Sequence, residues 1–183
     1  KGKAADEPNG TKVVFRPDGK MFPKFQFDEK YIVRRLWNYA YLNSGLALHY
    51  NGERLYSRGG LYDLLNEKIE GDALYEIIHH REPLVEFAFC HTSSFGETYY
   101  SFVNGQYTND GGTHQSAFRE GILKGVNEFA RKSYDGDDVR NGVFGAISVK
   151  LQEPLFESQT KNKLGNSEIR GELVAQVKEA VTK

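Results

Sequence analysis

The sequence predicts an α+β domain with a mainly four-stranded sheet and helices on one face. Apolar residues at every second position are typical of half-buried strands, and the run from Val85 to His91 shows this at Val85, Phe87 and Phe89. Apolar residues every three or four positions are typical of helices that cover a sheet. The longest such run has its predicted core face at Phe118, Ile122, Val126 and Phe129. Since the two patterns alternate without an internal repeat, we expect a layered α+β arrangement.

The first part of the chain contains a strand, a helix, a hairpin and a second helix, in that order. Val13 to Phe15 is the predicted first strand. Asp28 is the predicted N-cap of a helix that runs to about Asn43, because its carboxylate can accept the first free backbone N–H groups. Asn51-Gly52 supplies the positive φ angles of a tight hairpin turn. Leu61 to Ile69 follows as a short helix.

The second part of the chain supplies the sheet and two further helices. The predicted strands are Leu74 to His79, Val85 to His91, Thr98 to Val103 and Val143 to Leu151. The segment Asp110-Gly111-Gly112-Thr113 opens the longest helix, with glycines for the turn and Thr113 as its cap. A loop from Pro154 to Gly165 then leads to a final helix that begins near Asn166 or Ser167.

Composition excludes several classes of function. The chain has 24 basic and 25 acidic residues, whereas a dedicated nucleic-acid-binding module usually has a clear basic excess. Its single cysteine, Cys90, excludes an intrachain disulfide and argues against a cysteine-based zinc site. No apolar run is long enough to span a membrane, and no signal-peptide pattern is present. We therefore expect a cytoplasmic protein with no membrane partner and no metal site.

Two stretches carry motifs of high specificity. The first reads S-F-V-N-G-Q-Y-T-N-D-G-G-T-H from Ser101 to His114 and continues to Arg119. The second reads F-E-S-Q-T-K-N-K-L-G-N from Phe156 to Asn166. In order and spacing they resemble the transducer motifs of the B subunits of gyrase and topoisomerase IV, the ATPase subunits of bacterial type II DNA topoisomerases. The sequence departs from the family at Ser158, where glycine is common, and this affects only the expected backbone angles of that loop.

The resemblance implies a fold and a division of the chain. The fold is a ribosomal protein S5 domain 2-like two-layer sandwich with a left-handed βαβ crossover. Residues 1–18 are expected to be the end of an ATP-binding domain of the GHKL type or a terminal tail, and residues 19–183 the transducer domain. The first residue is not methionine and the last helix lacks a stop signal, so we expect both ends to lie inside a longer protein.

The resemblance also implies roles for three side chains. Gln159 and Lys161 match the pair that reaches the γ-phosphate of ATP in the neighbouring domain, and a hydrogen-bond donor beside a long-stemmed cation suits a phosphate. Without the resemblance the same loop would be interpreted as solvated, and Lys163 lies outside the matched pair. Arg119 matches an arginine of the cavity through which the transported DNA passes, where it could hold phosphate without reading sequence. The alternative for Arg119 is an ordinary surface ion pair.

No catalytic residue is expected in this chain, because the glutamate base, the Asp-x-Gly-x-Gly segment and the Gly-rich lid of the family are missing from it. The predicted function is to sense the ATP γ-phosphate and to couple nucleotide state to subunit movement and DNA strand passage. The implied cofactors are ATP and Mg²⁺ in the full-length enzyme, with none on this segment alone. The implied partners are double-stranded DNA, the A subunit of topoisomerase IV and a second copy of the same B subunit.

Three alternatives stay open at this point. The chain could be the same segment of gyrase B, although the resemblance favours topoisomerase IV. It could be a stand-alone S5-like RNA-binding module, against which the near-neutral charge argues. It could be a small-molecule kinase of related fold, although Asp110-Gly111-Gly112-Thr113 is a poor version of the phosphate loop such enzymes need. His114 is expected to pack or to form hydrogen bonds at the helix start rather than to catalyse.

Overall fold

The computed structural model describes residues 10–183. The helices of this part are α1 (Glu29–Leu42), α2 (Leu61–Ile69), α3 (Thr113–Ala130), α4 (Gly136–Arg140) and α5 (Arg170–Thr182), the last preceded by a 3-10 turn at Ser167–Ile169. The strands are β1 (Ala47–Tyr50), β2 (Glu53–Tyr56), β3 (Ile78–Arg81), β4 (Val85–His91), β5 (Thr98–Val103), β6 (Gln106–Tyr107) and β7 (Val143–Val149). No helix within residues 10–183 is both long and apolar enough to cross a membrane.

Five of these strands form one mixed sheet in the order β3-β4-β7-β5-β6. β4 runs antiparallel to β3 and to β7, whereas β5 runs parallel to β7. The chain passes from β5 to β7 through β6, α3 and α4, so the expected parallel crossover is present. The α+β class is confirmed, and the left-handedness of the crossover stays a prediction. β1 and β2 pair only with each other as a separate hairpin in the described part of the chain.

Helices pack on both faces of the sheet, which corrects the predicted two-layer arrangement with helices on one face. Four successive residues of β4 are buried: Phe87, Ala88, Phe89 and Cys90. The two phenylalanines belong to a core shared with α3 and α5, and Ala88 and Cys90 belong to a second core shared with α1 and α2. A strand covered on both sides does not need the apolar–polar alternation of a half-buried strand. The short β6 adds a fifth strand to the four that were expected.

Several local signals act as predicted. The Asp28 carboxylate accepts a hydrogen bond from the backbone N–H of Tyr31 at 3.3 Å and so caps α1. Asn51 and Gly52 have φ angles of +49° and +88°, as a two-residue hairpin turn between right-twisted strands requires. The bounds of α2, β4 and β5 match their predicted ranges. These elements are specified by residues close in sequence.

Three expectations about apolar segments are wrong. Val13 to Phe15 is not a strand, because no described residue pairs with it, and its side chains are exposed. The strand expected from Leu74 to His79 begins only at Ile78, where pairing with β4 starts. Phe129 is 71% exposed and not part of the core. Burial along α3 fades at the half-buried Val126, so the last turn of the helix extends past the layer on which it packs.

α3 and α5 pack against each other at very short distance. Two glycines one helical turn apart, Gly121 and Gly125, make this possible on the α3 side. A Cβ atom added at Gly121 would lie 2.5 Å from Cβ of Val177, and one added at Gly125 would lie 2.5 Å from Cβ of Val181. Neither position has room for a methyl group, so the two helices approach as far as their backbones and the valines allow.

We expect Gly121→Ala to lower the free energy of unfolding by about 1–3 kcal/mol, the usual cost of overpacking a tight core. Gly171→Ala is the matched control, because Gly171 lies in α5 and an added Cβ there would meet nothing within 4 Å. This control should be neutral or stabilising by up to about 1 kcal/mol, since alanine is the better helix former. Urea unfolding of the two variants and the parent chain measures both values, and equal stabilities of all three would contradict the packing described here.

Candidate functional site

The loop from Pro154 to Gly165 follows β7 and carries both predicted phosphate contacts. Gln159 and Lys161 are exposed, and within residues 10–183 neither side chain takes part in a hydrogen bond or an ion pair. The Nζ atom of Lys161 lies 6.0 Å from the centroid of the Phe156 ring. A cation–π contact at an exposed site is worth only about 0.5–1 kcal/mol. The ammonium group is therefore available to an incoming anion.

The tip of the loop is a tight turn that holds Lys161 in an unusual backbone conformation. The backbone N–H of Lys161 donates to the carbonyl of Ser158 at 3.1 Å, and Lys161 has a φ angle of +56°. The hydroxyl oxygens of Ser158 and Thr160 lie 2.6 Å apart across the same turn. A left-handed conformation costs a residue with a Cβ about 1–2 kcal/mol. Such strain is concentrated at ligand-binding sites, where the surrounding structure maintains it.

The base of the loop is buried and hydrogen-bonded. Leu164 is 1% exposed and forms a parallel β-bridge with Gly112. Asn166 is also buried, and its side-chain oxygen accepts a hydrogen bond from the backbone N–H of Leu155 at 2.7 Å. Because both ends of the loop are fixed in this way, its tip has a defined position relative to the sheet and α3.

The two lysines of this loop differ in their surroundings. The Nζ atom of Lys163 lies 3.1 Å from a carboxylate oxygen of Glu157, which balances its charge. Lys161 has no carboxylate within ion-pair distance among the described residues. The geometry therefore separates the two side chains in the same way as the motif does, with Lys161 as the cation that is available to a phosphate.

The start of α3 differs from the prediction. Gly112, with a φ angle of +126°, occupies the N-cap position, and no side chain caps the helix. Thr113, the predicted cap, is the first helical residue, so its hydroxyl donates to the carbonyl of Leu164 at 3.3 Å instead. Its backbone N–H donates to the same carbonyl at 3.0 Å. The helix start is thus bonded to the loop of residues 154–165.

His114 lies in a buried polar cluster beneath the start of α3. Its Nε2 atom is 3.1 Å from the hydroxyl oxygen of Thr108, which is itself 2.8 Å from the hydroxyl oxygen of Ser101. Burial lowers the pKa of His114 to about 4, because a charged imidazole is poorly solvated there. The ring is therefore neutral at pH 7. This geometry fits the packing and hydrogen-bonding role expected from the sequence.

Arg119 forms a two-pronged ion pair with Glu97. Its Nε and one terminal nitrogen lie 2.8 and 2.6 Å from the two carboxylate oxygens of Glu97. Arg140 approaches the same carboxylate at 3.3 Å, and the hydroxyl of Tyr99 donates to it at 2.7 Å. Burial alone would raise the pKa of Glu97, but the hydrogen bonds from Arg119, Tyr99 and Arg140 outweigh it and lower that pKa. The surface ion pair considered for Arg119 is thus present.

Glu97 is the residue at this site that sequence reasoning did not single out. It lies 22 positions before Arg119, a separation that carries no helical or strand period. The same cleft is lined by Asp137 and Asp138, so the charge around the guanidinium is mostly negative. No group of three or more potential metal ligands lies together within residues 10–183.

Comparisons with known proteins place the chain in the class of B subunits of type II DNA topoisomerases. The family model described as DNA gyrase B matches residues 59–183, and the chain belongs to this family. It is 48% identical to the B subunit of DNA topoisomerase 4 of Borreliella burgdorferi over 98% of this chain, and 36% identical to the B subunit of DNA gyrase of Thermotoga maritima over 97%. The chain spans 30% and 31% of the lengths of these two relatives.

Solved structures of the same class have the same fold. The 43K ATPase domain of Thermus thermophilus gyrase B, in complex with an aminocoumarin, gives a TM-score of 0.74 at 33% identity. That match covers 92% of this chain and 51% of the solved one. The topoisomerase IV ATP-binding domain of Francisella tularensis, in complex with a small-molecule inhibitor, gives 0.73 at 25% identity, with 91% and 50% covered. The division of the chain at residue 18 stays a prediction, and α1, β1 and β2 precede the range of the family model.

We expect the buried His114 to make folding sensitive to acid. Its pKa is about 4 in the folded chain against about 6.5 when unfolded, so only the unfolded state binds this proton between those pH values. The contribution of His114 is therefore complete above pH 6.5 and declines by about 3 kcal/mol as the pH falls to 4. Denaturant unfolding at pH 7, 6 and 5 should show a shallower decline for His114→Asn than for the parent chain. Parallel pH profiles would contradict this assignment.

Proposed function

We propose that this chain is the transducer segment of the B subunit of a type II DNA topoisomerase, and that its 154–165 loop senses the γ-phosphate of ATP held by an adjoining domain. One observation carries the proposal. Lys161 is an exposed, unpaired cation in a strained turn, in a loop whose base is buried and hydrogen-bonded. The neighbouring Lys163, outside the motif pair, is neutralised by Glu157. This contrast supports a ligand role for Lys161 rather than simple solvation.

Gln159 and Lys161 have the chemistry that a terminal phosphate needs. When bound, ATP supplies a γ-phosphate whose presence or loss is the signal. Lys161 offers three N–H donors and a positive charge, and the amide of Gln159 offers two further donors. Each hydrogen bond to a charged group is worth about 1.5–3 kcal/mol. Losing one such contact shifts a two-state equilibrium by about ten- to hundredfold, and losing two at the upper value reaches the roughly ten-thousandfold change that converts a 1:99 population into 99:1.

The wider assignment follows from the family and belongs to the same proposal. The full-length enzyme would use ATP and Mg²⁺, act on double-stranded DNA in the bacterial cytoplasm, and assemble with the A subunit of topoisomerase IV and with a second B subunit. The identity of 48% to a topoisomerase IV relative, against 36% to a gyrase relative, favours topoisomerase IV. Gyrase B is the second candidate. Reconstituting the full-length protein with the A subunit of each enzyme distinguishes them, because only the matching pair restores strand passage.

Arg119 is proposed to contact the DNA that passes through the enzyme. Its side chain is 39% exposed although it is paired with Glu97, so part of the guanidinium faces the solvent. The negative charge of Glu97, Asp137 and Asp138 weakens attraction to DNA at long range. Any contact by Arg119 would therefore be a short-range hydrogen bond to a phosphate rather than a contribution to a broad basic surface.

In the full-length protein, Lys161→Ala should lower DNA-stimulated ATP turnover by about ten- to hundredfold, because a charge-assisted contact is lost. Lys163→Ala is the matched control in the same loop and should keep turnover close to that of the parent protein. Steady-state ATP hydrolysis in the presence of DNA and the partner subunit measures both. Undiminished turnover in Lys161→Ala, or equal losses in the two variants, would rule out the sensing role.

Arg119→Gln in the full-length protein should reduce the stimulation of ATP hydrolysis by DNA several-fold, in line with the loss of one phosphate contact of about 1 kcal/mol or more. Glu97→Gln is the control, because it breaks the same ion pair and leaves the arginine charged. It should leave the stimulation intact or increase it. A loss of equal size in both variants would show that the ion pair acts only through local structure.

A further inference from the structure

We infer that Gly112 is a positioning residue that joins the phosphate-sensing loop to α3. The inference rests on the proposed function, and it adds the route by which a signal leaves the loop. Lys161 and Gln159 are at the tip, and within residues 10–183 neither side chain is bonded to a helix. Whatever displaces the tip must act on the rest of the domain through the base of the loop. Among the described residues, the backbone hydrogen bonds between the base and the start of α3 lie at residues 110–113.

The contact between the loop base and this segment is made mainly by backbone groups. The N–H of Asp110 donates to the carbonyl of Asn162 at 3.0 Å, and the N–H of Leu164 donates to the carbonyl of Gly111 at 3.1 Å. The N–H of Thr113 donates back to the carbonyl of Leu164 at 3.0 Å. These bonds form a short parallel ladder that begins at Asn162, the residue directly after Lys161. We call the paired segments 110–113 and 162–164 the joint.

Gly112 lets the two backbones of the joint approach each other. A Cβ atom added at Gly112 would lie 2.4 Å from both the backbone nitrogen and the carbonyl oxygen of Leu164. Backbone atoms of a buried residue cannot swing aside as a flexible side chain can. The φ angle of Gly112, +126°, is also one that residues with a Cβ rarely adopt. Glycine is therefore required at this position by both distance and conformation.

The joint places the loop in contact with two helices at once. Leu164 is bonded to the start of α3 through Thr113, and the chain continues from Leu164 through the 3-10 turn into α5. α3 in turn packs closely against α5 at Gly121 and Gly125, where no room is left for a side chain. Tightly packed elements shift as a unit rather than deform. A displacement of Leu164 is thus expected to move α3 and α5 together, with the joint as the point where the loop acts on them.

The test is Gly112→Ala in the full-length protein, assembled with its partner. The tip residues that meet the nucleotide are unchanged, so the KM for ATP should stay within about twofold of the parent value. Strand-passage events per ATP hydrolysed should fall at least about fivefold, the lower end of typical coupling between sites. Gly105→Ala is the matched control. Gly105 also has a positive φ, +81°, but an added Cβ there would meet nothing within 4 Å, so it tests a positive-φ substitution without the clash.

The outcomes separate this inference from the proposed function. In one outcome, Lys161→Ala loses turnover, but Gly112→Ala and Gly105→Ala give equal numbers of strand-passage events per ATP hydrolysed. That outcome would overturn the role of the joint and leave the sensing role of the loop intact. Unchanged ATP turnover in Lys161→Ala would overturn the sensing role of the loop itself. A KM raised in parallel with the loss of strand passage in Gly112→Ala would also overturn the joint, since the substitution would then act on nucleotide binding.

A measurement on the unsubstituted protein keeps the inference testable if Gly112→Ala does not fold. Hydrogen exchange of the amides of Leu164 and Thr113 is followed with and without a non-hydrolysable ATP analogue. A joint that transmits force must stay closed, so both amides should exchange at least about a hundredfold more slowly than in an unstructured chain in both states. Exchange at the rate of an open loop in either state would overturn the inference.

Discussion

The central position of β7 determines the arrangement of the rest of the molecule. β7 pairs along its whole length with β4 on one side and from Phe144 to Val149 with β5 on the other, and nearly all of its residues are buried. A strand in that position needs apolar cover above and below, which α3 and α5 provide on one face and α1 and α2 on the other. The loop that carries Lys161 begins just after this strand. The chain thus passes from a buried central strand to a loop that carries an exposed lysine.

Electrostatic pairing distinguishes the cations of the molecule more clearly than their positions in the sequence do. Arg119 and Arg140 share the carboxylate of Glu97, and Lys163 is matched to Glu157. Several other lysine and arginine side chains of the described residues form ion pairs of the same kind. Within the loop, Lys161 differs from Lys163 because it has no carboxylate within ion-pair distance among the described residues. The bulk charge of the chain gives no sign of this difference.

The parts of the fold that the sequence predicts are those fixed by neighbours in the chain. Asp28 and Asn51-Gly52 act on backbone groups within a few residues of themselves, and the start of α1 and the hairpin turn lie where they were expected. The predictions that are wrong concern tertiary packing between elements that are distant in sequence. Phe129 has the right spacing for a core face, but whether a helix turn is covered depends on where the sheet ends. Ala88 and Cys90 face a second helical layer, which small side chains in one strand do not reveal.

The candidate site divides in the same way. Gln159 and Lys161 are predicted only through a family motif, because the residues of an exposed loop follow no helical or strand periodicity. The partner of Arg119 lies 22 residues away, and Thr113 meets Leu164 across 51 residues, so neither contact leaves a signal in local spacing. A glycine before a helix is a common cap, and only the structure reveals that Gly112 faces another backbone.

The edges of the sheet have a further consequence. One edge strand, β6, is two residues long, and the other, β3, is a four-residue strand that contains two histidines and an arginine. Short, polar edge strands expose few unpaired backbone N–H and C=O groups to another protein chain, which disfavours aggregation through edge-strand pairing. Contacts of this sheet with other molecules are therefore left to side-chain surfaces, where association can be reversible and specific.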